Sequence, residues 1–210
     1  MLINGNVKII LGQEPHRSSV LGRFLSIEDI MEVEDRHGAK STFYLMAVDE
    51  ESQDFSYRIE DMKDRVRQMV ERGWEVGLHG SQEAYLDLEA LKKEKGTLES
   101  VLGKKVAGYR SHFLRFSTPN TWRILQRAGL QYDTTLGYAD CVGFRNGMCH
   151  PFRPYDRSTG ENIDIVEVPL MVMDSTLFEG YMRLDVGAAL DLIKYLIDSV
   201  KRCHGVFSLL

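Results

Sequence analysis

Two histidines, an arginine and a glutamate pose the chemical questions in this sequence. His79 directly follows the short strand-like run Trp74–Leu78 and precedes Gly80 and Ser81, while His112 lies two residues beyond Arg110 in YRSHF. An imidazole at the carboxyl end of a strand can ligate a metal or shuttle a proton. Two of them on neighbouring strand ends can share one Zn²⁺ or similar divalent ion, provided a third ligand joins them. Glu83 shares a face with His79 if residues 79–85 begin a helix, and the pair could then chelate the same ion. The plainer alternatives are a turn histidine, a structural histidine and a first-turn glutamate favoured by the helix dipole. Arg110 can hold a carboxylate through two parallel hydrogen bonds, or simply pair at the surface.

A second group is aromatic. The stretch 143–156, GFRNGMCHPFRPYD, packs Phe144, His150, further aromatics and arginines into one turn-rich segment, with Tyr138 just ahead of it. Such a segment suits a sugar-binding wall, in which ring faces meet pyranose faces and polar groups meet hydroxyls. It equally suits a lid held by its own side chains. Asp49, Glu50 and Glu51 read as a solvated acidic turn.

The elements that must position these residues follow from periodicity. Ser26–Asp29 reads as a capping box, with Ile27, Ile30 and Met31 starting a helical stripe that stops at His37–Gly38. Lys40–Val48 has the β-branched and aromatic content of a strand. Ile59, Met62, Val66, Met69 and Val70 recur at helical spacing up to Gly73, and Leu88, Leu91, Leu98 and Leu102 up to Gly103. Val106–Phe113 is strand-like. Thr118 and Pro119 read as an N-cap and first helical residue, opening a helix to Gly129. Tyr132–Leu136 and Ile165–Met173 are strands around a long loop at 139–160. Asp185 caps a helix carrying Leu190, Ile193, Ile197 and Val200, and Val206–Leu210 is a final strand. Strands separated by helices must run parallel, and functional groups then gather on loops at the strands' carboxyl ends. That rule brings His79, Arg110 and His112 to one edge.

Composition narrows the function classes. The chain has 210 residues, 43% hydrophobic and 27% charged, with 26 basic and 31 acidic side chains and a net charge of -5. The basic residues are dispersed, which argues against a nucleic-acid surface. No apolar run approaches the roughly 18 residues of a membrane span. The amino terminus lacks the pattern of a signal peptide, so a cytoplasmic protein is expected. Cys141, Cys149 and Cys203 are odd in number and unevenly spaced, with no zinc-binding Cys pattern. The oligomeric state is not legible.

These segments together resemble the NodB-like polysaccharide deacetylases. KSTFYLM is similar to that family's second barrel strand, EVGLHGSQEAY to its Glu-Ile-Gly-x-His metal motif, and GYRSHFLRF to its arginine motif; YDTTLGY and VEVPLMVMDSTL resemble the strands that follow. The resemblance covers most of residues 25–210 and points to a divergent branch. It implies a single, partial domain over 1–210 with an irregular, incomplete (β/α)7 barrel and metal-assisted hydrolysis of an N-acetylated carbohydrate. It implies that His79 is a ligand of Zn²⁺ or another divalent metal and that Arg110 steadies the catalytic base. The family's second metal histidine falls at Glu83, and His112 could substitute for it. The family's Asp-Asp motif belongs after the first strand, read here as VKIIL at 7–11, where Glu14 and His16 are the nearby substitutes. Its Leu-x-His motif would follow Leu210. With base, acid and one ligand unmatched, the expected activity of these 210 residues is at or near background. The alternative is a non-catalytic carbohydrate-binding protein on the same barrel.

Overall fold

The protein was analysed as a computed structural model that describes residues 27–210. Ser26 of the expected capping box, the strand at 7–11, Glu14 and His16 lie outside the described residues. Helix α1 (Ile27–Arg36) leads into strand β1 (Thr42–Leu45), and a 3₁₀ turn at Ile59–Met62 leads into α2 (Lys63–Glu71). Then come β2 (Glu75–Gly80), α3 (Leu88–Leu102), β3 (Gly108–Ser111), a short turn at His112–Leu114, α4 (Asn120–Arg127) and β4 (Tyr132–Asp133). A two-stranded hairpin, β5 (Tyr155–Asp156) and β6 (Glu161–Asn162), precedes β7 (Val166–Glu167), α5 (Asp174–Phe178) and α6 (Val186–Arg202).

Five strands form one parallel sheet in the order β1-β2-β3-β4-β7. This is an α/β fold, and among the described residues the sheet stays open rather than closing into a barrel. The strands are shorter than the β-branched runs suggested. Residues 165–173 contribute only Val166–Glu167 to the sheet, and the expected last strand contributes one bridge, Val172 to Leu209. The connection from β4 to β7 carries the hairpin instead of a helix. Helix α4 begins at Asn120 with Pro119 at its N-cap, one residue later than the sequence suggested.

Where capping chemistry was explicit, boundaries agree. Asp87 accepts from the Glu89 and Ala90 amides to start α3, Gly103 ends it at φ 69°, and Asp185 accepts from the Ala188 amide to start α6. The main core lies between the sheet and helices α1–α4, built on Phe43, Leu45, Val76, Leu78, Leu91 and Leu98. A smaller cluster of Met171, Val172, Leu177, Leu196 and Val200 sits under α5 and α6.

The other sheet face is organised by tyrosines over glycines. Tyr44 is the register partner of Gly77, and Tyr132 that of Gly108. A Cβ added at Gly77 would lie 2.6 Å from the Tyr44 ring, and one at Gly108 would lie 2.3 Å from that of Tyr132. Only glycine leaves room for each ring to lie flat on the neighbouring strand.

A carboxyl pair joins the last two strands. Asp133 and Glu167 are register partners, both fully buried. Glu167 accepts from Trp122 Nε1 at 2.7 Å and from the Leu136 amide at 3.2 Å, and Asp133 accepts from Thr135 Oγ1 and its amide. Burial raises both pKa values, Glu167 far above the carboxylate range, so Glu167 keeps a proton and donates it to Asp133. The unfolded chain releases that proton above about pH 4. Folded protein therefore binds more protons, and this pair withdraws stability as pH rises toward its folded pKa. Glu167→Gln keeps the donor to Asp133 without the titration. Urea denaturation across a pH series should show its stability gaining on the wild type as pH rises. Glu167→Ala, which strands the Trp122 and Leu136 donors, should cost about 3 kcal/mol.

Candidate metal and substrate site

The carboxyl edge of β2 and β3 assembles the site. Strand β2 runs through Gly80, so His79 sits inside the strand instead of just after it, and pairs in register with Arg110. Parallel register partners project to the same face, so the two side chains share the inner surface. His112 opens the turn beyond β3 and meets His79: His79 Nε2 and His112 Nδ1 lie 3.1 Å apart, with ring planes at 89°. Burial, then the neighbouring His112, push the His79 pKa down to about 3. Burial also lowers that of His112, against the pull of Asp54. His79 is therefore held as the neutral imidazole, the form that ligates a metal.

At this distance the two nitrogens share a hydrogen bond in the absence of a metal, and the same spacing suits two adjacent ligands of one ion. Ligands at 2.0–2.1 Å from a tetrahedral Zn²⁺ lie roughly 3.3 Å apart. No group of three or more His, Cys, Asp or Glu side chains that could hold a metal occurs among the described residues. The residues present fit half of a metal site.

Asp54, which the sequence reading passed over, lies behind His112. Its carboxylate accepts from the Gln82 amide at 2.8 Å and from Gln82 Nε2 at 2.7 Å, and its Oδ1 stands 3.9 Å from His112 Nε2. That last separation is an ion-pair distance, too long for a direct hydrogen bond. The available signal was position: Asp54 lies in the long connection at the carboxyl end of β1. On the other side, Glu94 of α3 accepts from Ser81 Oγ at 2.6 Å and from the Ser81 amide at 3.0 Å, fixing the turn that leaves β2.

Glu83 is placed differently from the helical expectation. Residues 81–87 form turns, so Glu83 does not share a helical face with His79. It lines an open acidic depression of about 450 Å³ with Asp49, Glu51, Asp54 and Ser81.

Arg110 is 1% exposed. Its Nε donates to Thr134 Oγ1 at 3.0 Å, and its guanidinium lies 5.3 Å from the Tyr44 ring centre. Nη1 and Nη2 have no hydrogen-bond partner. Burial pulls its pKa down to about 10, which leaves the group cationic at neutral pH. A buried cation with two idle donors on the same face as His79 fits an anionic acceptor between them.

The aromatic segment stands apart. Phe144 packs against the smaller hydrophobic cluster, Tyr138 is partly exposed and His150 is exposed. The described contacts of His79 and His112 reach none of the three.

Comparisons with known proteins bear on the family and the fold. The family model described as polysaccharide deacetylase matches residues 26–132. A solved structure described as a polysaccharide deacetylase from Mycobacterium smegmatis superposes with a TM-score of 0.62 at 20% identity, covering 86% of this chain and 60% of that one. The chain thus spans about three-fifths of that protein's length. A polysaccharide deacetylase from Bacillus cereus aligns with a TM-score of 0.41 at 17% identity, over 63% of this chain and 61% of that one. The curated proteins gave no match.

If the histidine pair holds a metal, each ring is indispensable to it. His79→Ala and His112→Ala should each weaken Co²⁺ or Zn²⁺ binding by more than about tenfold, followed by the visible Co²⁺ bands or by calorimetry. Unchanged metal uptake in His79→Ala would make the pair a structural contact.

Proposed function

The chain belongs to the polysaccharide deacetylase family, and from that premise we propose that it is a metal-dependent hydrolase removing acetyl groups from N-acetylated sugars. The observation that carries the reading is the pair of ring nitrogens 3.1 Å apart at the carboxyl edge of the sheet. His79 and His112 would hold a Zn²⁺-like ion. When bound, such an ion polarises an amide carbonyl and acidifies a water. Arg110 would orient an acidic group against the bound substrate through Nη1 and Nη2. Glu94 and Asp54 hold the flanking turns in place, so that the rings need not reorganise on binding. Glu83, in the acidic depression beside the pair, is a further candidate ligand, and Tyr138, Phe144 and His150 are candidate sugar contacts.

A second reading keeps the sugar and drops the chemistry: a non-catalytic carbohydrate-binding protein on the same fold. It is favoured by one observation, that the described residues bring two metal-ligating groups together and not three. No helix among the described residues is long and apolar enough to cross a membrane.

Acetate release from N-acetylglucosamine oligomers, with and without added Zn²⁺ or Co²⁺, separates the two. Release that metal stimulates and a chelator stops, however slow, supports the hydrolase. Oligomer binding with no metal-dependent release supports the binding protein. Neither binding nor release on any N-acetylated sugar overturns both.

A further inference from the structure

Two of the three cysteines meet where the chain leaves its last helix. Helix α6 ends in a turn that bends back on itself, with Cys203 as the C-cap and His204 at φ 54°. The His204 amide donates to Lys201 O at 3.1 Å and the Gly205 amide to Val200 O at 3.0 Å. These two bonds form the Schellman closure, with histidine in the left-handed place that glycine usually takes. The turn brings residues 203–206 onto Cys149, in the segment between β4 and β5. The Val206 amide donates to Cys149 O at 2.8 Å, and a Cβ on Gly205 would collide with Cys149 Sγ and lie 2.8 Å from Cys149 O. Cys149 is buried in the smaller cluster, whereas Cys203 is exposed and has the Cys149 thiol within hydrogen-bonding reach. Burial first, and then Cys203, push the Cys149 pKa above the ordinary thiol range. Packing accounts for Cys149, since a buried thiol acts as a small apolar group. It does not account for a second thiol, in solvent, set against the first.

We propose that Cys149 and Cys203 form a redox-sensitive clamp, open as two thiols and closed as a disulfide that fastens the end of α6 to the segment before β5. It stands independently of the function proposed above. Cys203 is the thiol that a soluble oxidant reaches first. Its thiolate attacks one sulfur of a small-molecule disulfide such as oxidised glutathione, whose S–S bond breaks and releases one glutathione. The Cys149 sulfur, giving up its proton, then attacks the Cys203 sulfur of the mixed disulfide and expels the second glutathione. Two protein thiols are oxidised, one glutathione disulfide is reduced to two thiols, and the two thiol protons pass to the departing glutathiones. Closure joins residue 149 to residue 203 around β5, β6, β7, α5 and α6. It therefore restricts the unfolded chain over most of its carboxyl-terminal part, which is how such a bond stabilises a fold. It also pins the segment that carries His150, the neighbour of Cys149 in sequence. Cys141, exposed and earlier in the same segment, provides an internal control.

The test is to reduce the 210-residue chain, equilibrate it in glutathione buffers of rising oxidised fraction, and map its thiols by tryptic mass spectrometry without reduction. Trypsin leaves Cys149 in peptide 146–157, Cys203 in peptide 203–210 and Cys141 in a third peptide that ends at Arg145. Peptides 146–157 and 203–210 should appear joined, in a protein that stays monomeric and leaves Cys141 outside the pair. Dithiothreitol should separate them again. The oxidised protein should melt about 10 °C above the reduced one. Cys203→Ser, a change at an exposed position, should abolish both the joined peptides and the shift in Tm, whereas Cys141→Ser should keep both. Glutathione retained on Cys203 while Cys149 stays a free thiol overturns the proposal. So does pairing of Cys203 between two molecules. A joined pair that melts at or below the temperature of the reduced protein overturns it as well, because such a bond strains the fold instead of holding it.

Discussion

Side-chain volume on the inner face of the sheet is the constraint on which the site depends. Tyr44 can lie over Gly77, and Tyr132 over Gly108, because those strands offer no Cβ at the crossing. Each glycine stands two residues before a site residue on the same strand face: Gly77 before His79, Gly108 before Arg110. The tyrosines therefore form a rigid floor, and the histidine and arginine stand one step above it. Tyr44 is shared between the two layers, since its ring also faces the Arg110 guanidinium. A larger residue at either glycine would move the floor and the groups above it together.

Buried polar groups then tie the outer helices to that layer. Glu94 reaches from α3 to the turn after β2, and Glu34 reaches from α1 to Ser41 and the Trp74 indole, just before β1 and β2. Trp122 reaches from α4 to Glu167 on β7. Each carboxyl accepts from at least two donors, which makes each hard to replace, although Glu34 Oε1 is left without a partner. Hydrophobic contact supplies the bulk of the packing. These polar nodes fix how far each helix slides along the sheet.

Much of this was legible in the sequence, and the failures share a cause. Helices announced themselves by period and by caps such as Asp87, Gly103 and Asp185, which are local features. The parallel sheet and the meeting of His79, Arg110 and His112 at one edge followed from alternation alone. Strand lengths did not, because Val106–Phe113 and Ile165–Met173 are apolar enough to be strands yet keep a regular ladder over only part of their length, the rest of 165–173 being held by scattered bonds to several segments. Glu83 was placed on a helix by spacing, but the Ser81–Glu94 bonds hold that segment in turns. Asp54 escaped notice since its place beside His112 lies in contacts that no periodicity encodes. The aromatic run at 143–156 lies apart from the histidine pair, with Phe144 packed against the smaller cluster.

That separation has a consequence for how the molecule opens. The last residues are stitched to the segment after β7 by the Leu210 amide on Val172 O, the Asp174 amide on Leu210 O and the Met171 amide on Ser208 O. Helix α6 packs there, against its own small apolar cluster, while the histidine pair stands at the ends of β2 and β3, strands that the larger cluster packs from their other face. Cooperative unfolding units tend to follow such divisions. Amide hydrogen exchange is therefore expected to sort into two tiers, faster over α5 and α6 than over β1–β3. On this division the histidine pair and Arg110 stand with the unit expected to open last.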